Sequence, residues 1–132
     1  MFTPLNPHDV LPQIGPFSWG LDAGTPRRLV LVSGQIGAEP SGRVGEGLME
    51  QSRITWRNIG NVLREAHMSP ANIVRTGIFI SSQVIMTETV KADFNAIRIA
   101  FLGNNRPAST MIFVPALMDP SWLVEIDAIA VE

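Results

Sequence analysis

The spacing of apolar residues along the chain predicts two amphipathic helices. From about Leu48 to Ala66, apolar residues recur at i, i+3, i+4 and i+7, which places them on one face of a helix. A second helix is predicted from about Glu88 to Leu102, and Gly103 is a suitable residue to end it. The apolar face of this second helix is expected to carry Val90, Phe94, Ile97 and Phe101.

Short runs rich in β-branched residues predict the strands. These runs are Arg28–Ser33, Ile73–Ile80, Thr110–Val114 and Leu123–Val131. Alternation in the last run places Glu125 and Asp127 on the face opposite to its apolar residues. Upstream, Phe2 to Pro12 is expected to be an extended arm, and further strand material is expected near Ile14 to Leu21.

The order of these elements predicts an α+β fold, with two helices on one face of a mixed β-sheet. Residues 1–132 are expected to form one domain, because no repeat or linker divides the chain. One layer of helices covers only one face of a sheet. The other face therefore needs a partner, and self-association through the sheet is expected.

Composition and charge narrow the possible functions. Hydrophobic residues make up 45% of the chain and the net charge is −2, so electrostatic capture of nucleic acid is not expected. The chain has no cysteine, which excludes disulfides and thiolate chemistry. It shows no signal-peptide pattern and no membrane-length apolar run, so a cytoplasmic location without membrane contact is expected. His8 and His67 are far apart and do not suggest a metal site.

Several short strings resemble the landmarks of the reactive-intermediate deaminase (RidA, YjgF-like) family, in the same order and at similar spacing. They are Gly15-Pro16-Phe17-Ser18, Ser33-Gly34-Gln35-Ile36, Arg106-Pro107-Ala108-Ser109-Thr110 and Val124-Glu125-Ile126-Asp127-Ala128-Ile129-Ala130, with Gln51, Asn58, Ile59 and Asn95 between them. No single string is specific, but their joint order is, and the match runs from about Gly15 to Val131.

This resemblance implies a chorismate-mutase-like fold assembled as a homotrimer, with a cleft for a small metabolite between subunits. It also implies hydrolysis of 2-imino or enamine acids to 2-oxo acids and ammonia, without a metal or an organic cofactor. The partners implied are a small-molecule ligand and two further copies of the chain.

The chain departs from the family at Ser109, where the family has an arginine that binds the substrate carboxylate. A guanidinium can donate two charge-assisted hydrogen bonds to a carboxylate, whereas a serine donates one neutral bond. The loss is about 2–4 kcal/mol of binding, or roughly 30- to 1000-fold in affinity. Arg106 is expected to point away from Ser109. Arg98, where the family often has an aromatic residue, is expected to be an exposed helix residue, with a new anion-binding role as the alternative.

The resemblance assigns candidate site residues, and each has a simpler structural alternative. Glu125 and Asn95 are the candidate catalytic residues, although Glu125 could be a solvated strand residue and Asn95 could bond to nearby backbone. The candidate ligand-binding residues are Phe17, Ser33, Gly34, Ser109 and Met111. For Phe17, which stands in place of the family's tyrosine, packing in the wall of a cleft or in the core is strongly favoured over a chemical role. A plain turn explains Ser33-Gly34 as well as a ligand-binding role does.

Three functions remain open at this stage. The chain could be a cofactor-free hydrolase of imines or enamines with an altered substrate. It could instead be a trimer that binds a small ligand without turnover, which the serine at position 109 favours. It could also be an assembly protein in which the cleft has become ordinary packing.

Overall fold

The computed structural model describes residues 2–132, which form six strands and two helices. The strands are β1 (Thr3–Leu5), β2 (Gly20–Asp22), β3 (Leu29–Ile36), β4 (Ile73–Ser81), β5 (Ala108–Val114) and β6 (Val124–Val131). The helices are α1 (Gly47–Glu65) and α2 (Glu88–Leu102), with a short 3₁₀ turn at Pro70–Asn72. Among these residues, neither helix has both the length and the apolar character needed to cross a bilayer.

The main sheet has four strands in the order β3-β6-β4-β5. Strand β6 is antiparallel to both of its neighbours, whereas β4 and β5 are parallel. A parallel pair needs a crossover connection, and α2 lies between these two strands in the sequence. The mixed sheet expected from the sequence is therefore confirmed.

Both helices pack on one face of this sheet, which confirms the predicted α+β architecture. The core lies between the helices and the sheet and is built from fully buried residues such as Ile59, Leu63, Ile78 and Ile126. Between the helices, the rings of Trp56 and Phe101 stack with their centroids 5.0 Å apart.

The other face of the sheet carries large apolar side chains that no part of residues 2–132 covers. Leu29 is 62% exposed, Leu31 70% and Ile112 44%. Soluble chains seldom leave such a surface in water. The helices therefore cover only one face of the sheet, as expected, and self-association through the other face stays a prediction.

Strand β5 begins at Ala108, two residues before its predicted start, and two other predicted strand regions differ more from the structure. Strand β3 continues through Gly34 to Ile36, because an irregularity in its pairing with β6 between Val32 and Gln35 absorbs the glycine. Upstream, the only strand near Ile14 to Leu21 is β2, which pairs with β1 of the N-terminal arm. Pro16 has no backbone N–H to donate to a ladder, which disfavours a continuous strand before β2.

Gln51 links the first helix to two loops that frame the sheet. Its side-chain amide donates to the carbonyls of Gly45 (3.0 Å) and Ser121 (2.9 Å), and its Oε1 accepts from the N–H of Leu123 (2.8 Å). Farther along the helix, the amide of Asn58 donates to the carbonyls at the end of β3, at Ile36 (3.3 Å) and Ala38 (2.9 Å). These two amides therefore stabilise loop and strand-end backbone beside the sheet.

Candidate functional site

A cavity of about 370 Å³ lies between α2, β5 and the segment that precedes β2. Its volume is in the usual range for small-molecule pockets. Most of the wall is apolar and includes Ile14, Phe17, Trp19, Ile80, Met86, Phe94, Met111 and Phe113. The polar side chains in the wall are Lys91, Asn95, Arg98 and Ser109.

Four of the candidate site residues from the sequence analysis meet in this cavity, although they come from three separate parts of the chain. Phe17 packs edge-on against Trp19, with ring centroids 5.1 Å apart. Asn95 faces the cavity from α2, and its buried Oδ1 has no hydrogen-bond partner within residues 2–132. Ser109 and Met111 line it from β5.

The Ser109 hydroxyl is already held by the neighbouring strand. The Thr76 hydroxyl donates a hydrogen bond to Ser109 Oγ over 2.9 Å. A hydroxyl that accepts one bond still has its own proton to donate. Ser109 can therefore give one neutral hydrogen bond to a ligand in the cavity.

Arg98 is buried in the cavity wall, so the prediction that it is an exposed helix residue is wrong. Only 2% of the residue is accessible, and its Nε and Nη2 atoms have no hydrogen-bond partner in the described chain. Burial, and to a lesser extent the nearby charge of Arg106, lowers the pKa of Arg98 to about 10. The guanidinium nevertheless stays charged at neutral pH.

The periodicity of α2 contains the signal that the sequence analysis missed. The buried residues of this helix are Phe94, Arg98 and Leu102, at i, i+4 and i+8. Phe94 was placed on the apolar face from the sequence, and Arg98 lies one turn farther along the same stripe. An arginine inside an apolar stripe could have been recognised as a buried cation.

Arg106 does not contribute to the cavity. Its Nη1 donates to the carbonyls of Gly103 (2.7 Å) and Asn105 (2.8 Å), in the turn that follows α2. The structure therefore agrees with the expectation that Arg106 points away from Ser109.

The three remaining candidates lie together on the opposite face of the sheet. On β6, Glu125 lies between Val124 and Ile126, whose side chains are buried under the helices. The Glu125 side chain therefore lies on the other face of the sheet. Its side chain lies against Gly34, so closely that a Cβ added to this glycine would be 2.8 Å from the Glu125 Cδ. Ser33 precedes that glycine on β3. Asp127, next on this face, accepts a hydrogen bond from the Gly77 N–H (2.9 Å).

A single chain thus carries two separate sets of candidate residues. The cavity offers a guanidinium, an ammonium, an amide and a hydroxyl, and no acidic side chain of residues 2–132 lines it. The only candidate carboxylate, on Glu125, lies on the exposed sheet face. Within residues 2–132, no three His, Asp or Glu side chains gather at distances that would hold a metal ion.

Comparisons with known proteins agree with one another on the family. The family model described as Endoribonuclease L-PSP matches residues 9–132. The human 2-iminobutanoate/2-iminopropanoate deaminase is 31% identical over 90% of this chain and 82% of its own length. A RutC family protein from Haemophilus influenzae is 33% identical over 89% of this chain and 88% of its own.

The fold comparison gives the same result. The crystal structure of YyfB from Yersinia pestis, a Rid family protein of unknown function, has a TM-score of 0.85 and 27% identity to this chain. The two align over 99% of this chain and 98% of YyfB. The sequence landmarks, the mixed sheet with its two helices, and these similarities agree, and the chain belongs to the RidA (YjgF-like) family.

Proposed function

We propose that this chain is a homotrimeric, cofactor-free hydrolase of 2-imino or enamine acids, with a ligand cleft at each interface between subunits. The observation that carries the proposal is the convergence of Phe17, Asn95, Ser109 and Met111 on one cavity. Relatives named 2-iminobutanoate/2-iminopropanoate deaminase, about 31% identical to this chain, support the reaction class.

Assembly through the exposed sheet face would bring the two sets of residues together. Within one chain, the sheet separates Glu125 from the cavity. A second copy that docks on this face can place its cavity beside Glu125, Ser33 and Gly34 of the first. The apolar exposure of Leu29, Leu31 and Ile112 supports such docking.

The reaction needs one water and no redox partner. The water oxygen attacks the imine carbon and forms a carbinolamine, and the C–N bond then breaks to release ammonia and leave a 2-oxo acid. Glu125 is suited to carry one water proton to the imine nitrogen as the carbinolamine forms, and then the hydroxyl proton of the carbinolamine to the same nitrogen as the C–N bond breaks. Asn95, whose Oδ1 is buried without a partner among residues 2–132, is suited to hydrogen-bond the imine N–H.

Binding without turnover is the second candidate. Ser109 favours it, because the family's arginine is absent from the position where it binds the substrate carboxylate. Under this alternative, the trimer retains the cleft and senses or buffers a small molecule.

Ammonia release from 2-iminopropanoate and 2-iminobutanoate, generated in situ, separates the two candidates. The hydrolase proposal expects release above the spontaneous rate, and it expects Glu125→Gln to abolish that excess while the cavity still binds 2-oxo acids. Asp127→Asn is the matched control on the same strand face. Ligand-dependent rises in Tm without any excess ammonia would leave only the binding alternative.

A further inference from the structure

We infer that Arg98 is the anion-binding residue of the cavity, and that it holds the carboxylate of an acid whose bulky apolar side chain fills the rest of the cavity. The inference rests on the proposed ligand cavity and deepens it by naming the residue and the class of ligand. The binding group has moved from strand β5 to helix α2.

The first observation is a buried guanidinium without a counter-charge. Arg98 is 2% exposed, and Nε and Nη2, which lie on one edge of the guanidinium, have no hydrogen-bond partner within residues 2–132. No Asp or Glu of the described chain lines the cavity. An unpaired buried charge is costly, so a chain that keeps one needs an anion that arrives from outside.

The second observation is the chemistry around Arg98. Lys91 and Asn95 lie on the same side of α2, and Ser109 faces them from β5. The Ser109 proton is free because its oxygen accepts from Thr76. Two cations and further hydrogen-bond donors that line one cavity fit a carboxylate, which two parallel N–H groups of a guanidinium can bind.

The third observation is the apolar remainder of the wall. Phe17, Trp19, Met111 and Phe113 surround a volume of about 370 Å³ together with other apolar residues. A carboxylate with only a methyl or ethyl substituent leaves most of this surface uncovered. An aromatic or branched 2-oxo or 2-imino acid would bury it, and burial of apolar area stabilises the complex.

Isothermal titration calorimetry with stable 2-oxo acids tests the inference without turnover. The probes are pyruvate, 4-methyl-2-oxopentanoate, phenylpyruvate and the neutral amide of phenylpyruvate. We expect affinity to rise along the three acids in that order. We expect the amide to bind roughly 30-fold or more weakly than its acid, since it lacks the charge that Arg98 recognises.

The variant Arg98→Met keeps an unbranched apolar side chain but removes the guanidinium and its charge. Its affinity for phenylpyruvate should be roughly 30-fold or more below that of the wild type, and its affinity for the amide should be unchanged. It should also raise the Tm of the unliganded protein, because it removes an unpaired buried charge. Arg98→Lys keeps the charge without the planar fork, and its affinity for phenylpyruvate should lie between those of the wild type and Arg98→Met. The matched control Arg64→Met removes an exposed arginine of α1 and should change neither affinity.

Three results would overturn the inference. If acid and amide bind equally, Arg98 does not hold a carboxylate, although the proposed ligand cavity stands. If Arg98→Met instead weakens self-association and spares acid binding, Arg98 pairs with a carboxylate of a second copy. If neither acid nor amide binds the wild type, the inference and the proposed cavity fail together, whereas acid binding without ammonia release removes only the hydrolase.

Discussion

Arg98 on α2 and Ser109 on β5 line the same cavity, so the buried guanidinium shares a pocket with the serine at the family's arginine position. The sequence alone indicates the loss of an arginine at 109. The structure adds that an arginine, Arg98, lies elsewhere in the same wall. The two positions are therefore best considered as a pair.

This pairing predicts the outcome of restoring the family residue. Ser109→Arg would place a second guanidinium in a cavity that no acidic side chain of residues 2–132 lines, so we expect it to lower the free energy of unfolding. Arg98→Phe, which restores the aromatic residue common in the family, should relieve the repulsion. A double-mutant cycle by urea unfolding at fixed protein concentration should give a favourable coupling of roughly 1–3 kcal/mol. Additive effects of the two substitutions would show that the side chains do not interact.

The buried amide of Gln51 should be important for stability. Gln51→Leu would leave the carbonyls of Gly45 and Ser121 and the N–H of Leu123 without their side-chain partner. We expect a loss of about 2–4 kcal/mol in the free energy of unfolding, measured by urea titration. Arg53→Leu, an exposed position on the same helix, is the control and should change it little. Equal stability of the two variants would show that the hydrogen bonds of the Gln51 amide do not stabilise the fold.

Self-association should depend on the exposed sheet face. Leu31 is 70% exposed there, and Leu31→Lys would bring a charge into the proposed interface. Analytical ultracentrifugation should find a trimer for the wild type and smaller species for the variant. Val62→Lys, on α1 and 37% exposed, is the control and should remain a trimer. A wild-type monomer at micromolar concentration would refute assembly through this face.

A surface ion-pair cluster should make part of the stability depend on pH. Arg43 bonds to Glu50 (2.6 Å) and Glu39 (3.1 Å), and the hydrogen bond from Arg43 lowers the pKa of the Glu50 carboxyl below its usual 4.5. A depressed carboxyl pKa stabilises the fold above the unfolded-state pKa, and this contribution disappears as the pH falls through the folded-state pKa.

The Tm of Glu50→Gln should therefore be slightly below that of the wild type at pH 7, since exposed pairs contribute little. The difference should be constant above about pH 5 and should close at lower pH. Thermal melts of both proteins from pH 7 to pH 3 measure it. A difference that does not change with pH would mean that the ion pairs do not contribute.

Local sequence signals were sufficient for most of the fold. The predicted bounds of α2 agree with the structure, because Thr87 caps the helix by accepting from the Val90 N–H (3.1 Å) and Gly103 ends it at φ 60°. Alternation along β6 likewise gave the correct faces for Glu125 and Ile126. Such signals depend only on neighbours in the sequence.

The candidate site depended on contacts that local signals do not encode. The burial of Arg98 follows from the packing of β5 and of the segment around Phe17 against α2, which are distant in sequence. A charged side chain is ordinarily counted as exposed, so Arg98 was expected at the surface although it lies on the same stripe of α2 as Phe94. Periodicity within one chain also does not predict how the cavity and Glu125 would meet across subunits.

A crystal structure of the protein with bound phenylpyruvate is the most direct test of the account. We predict that both carboxylate oxygens lie within about 3 Å of Nε and Nη2 of Arg98. The phenyl ring should lie among Phe17, Met111 and Phe113, and the 2-oxo carbon should face Glu125 of a second copy. A ligand bound elsewhere, or an Arg98 side chain paired with a protein carboxylate while the ligand is present, would contradict the account.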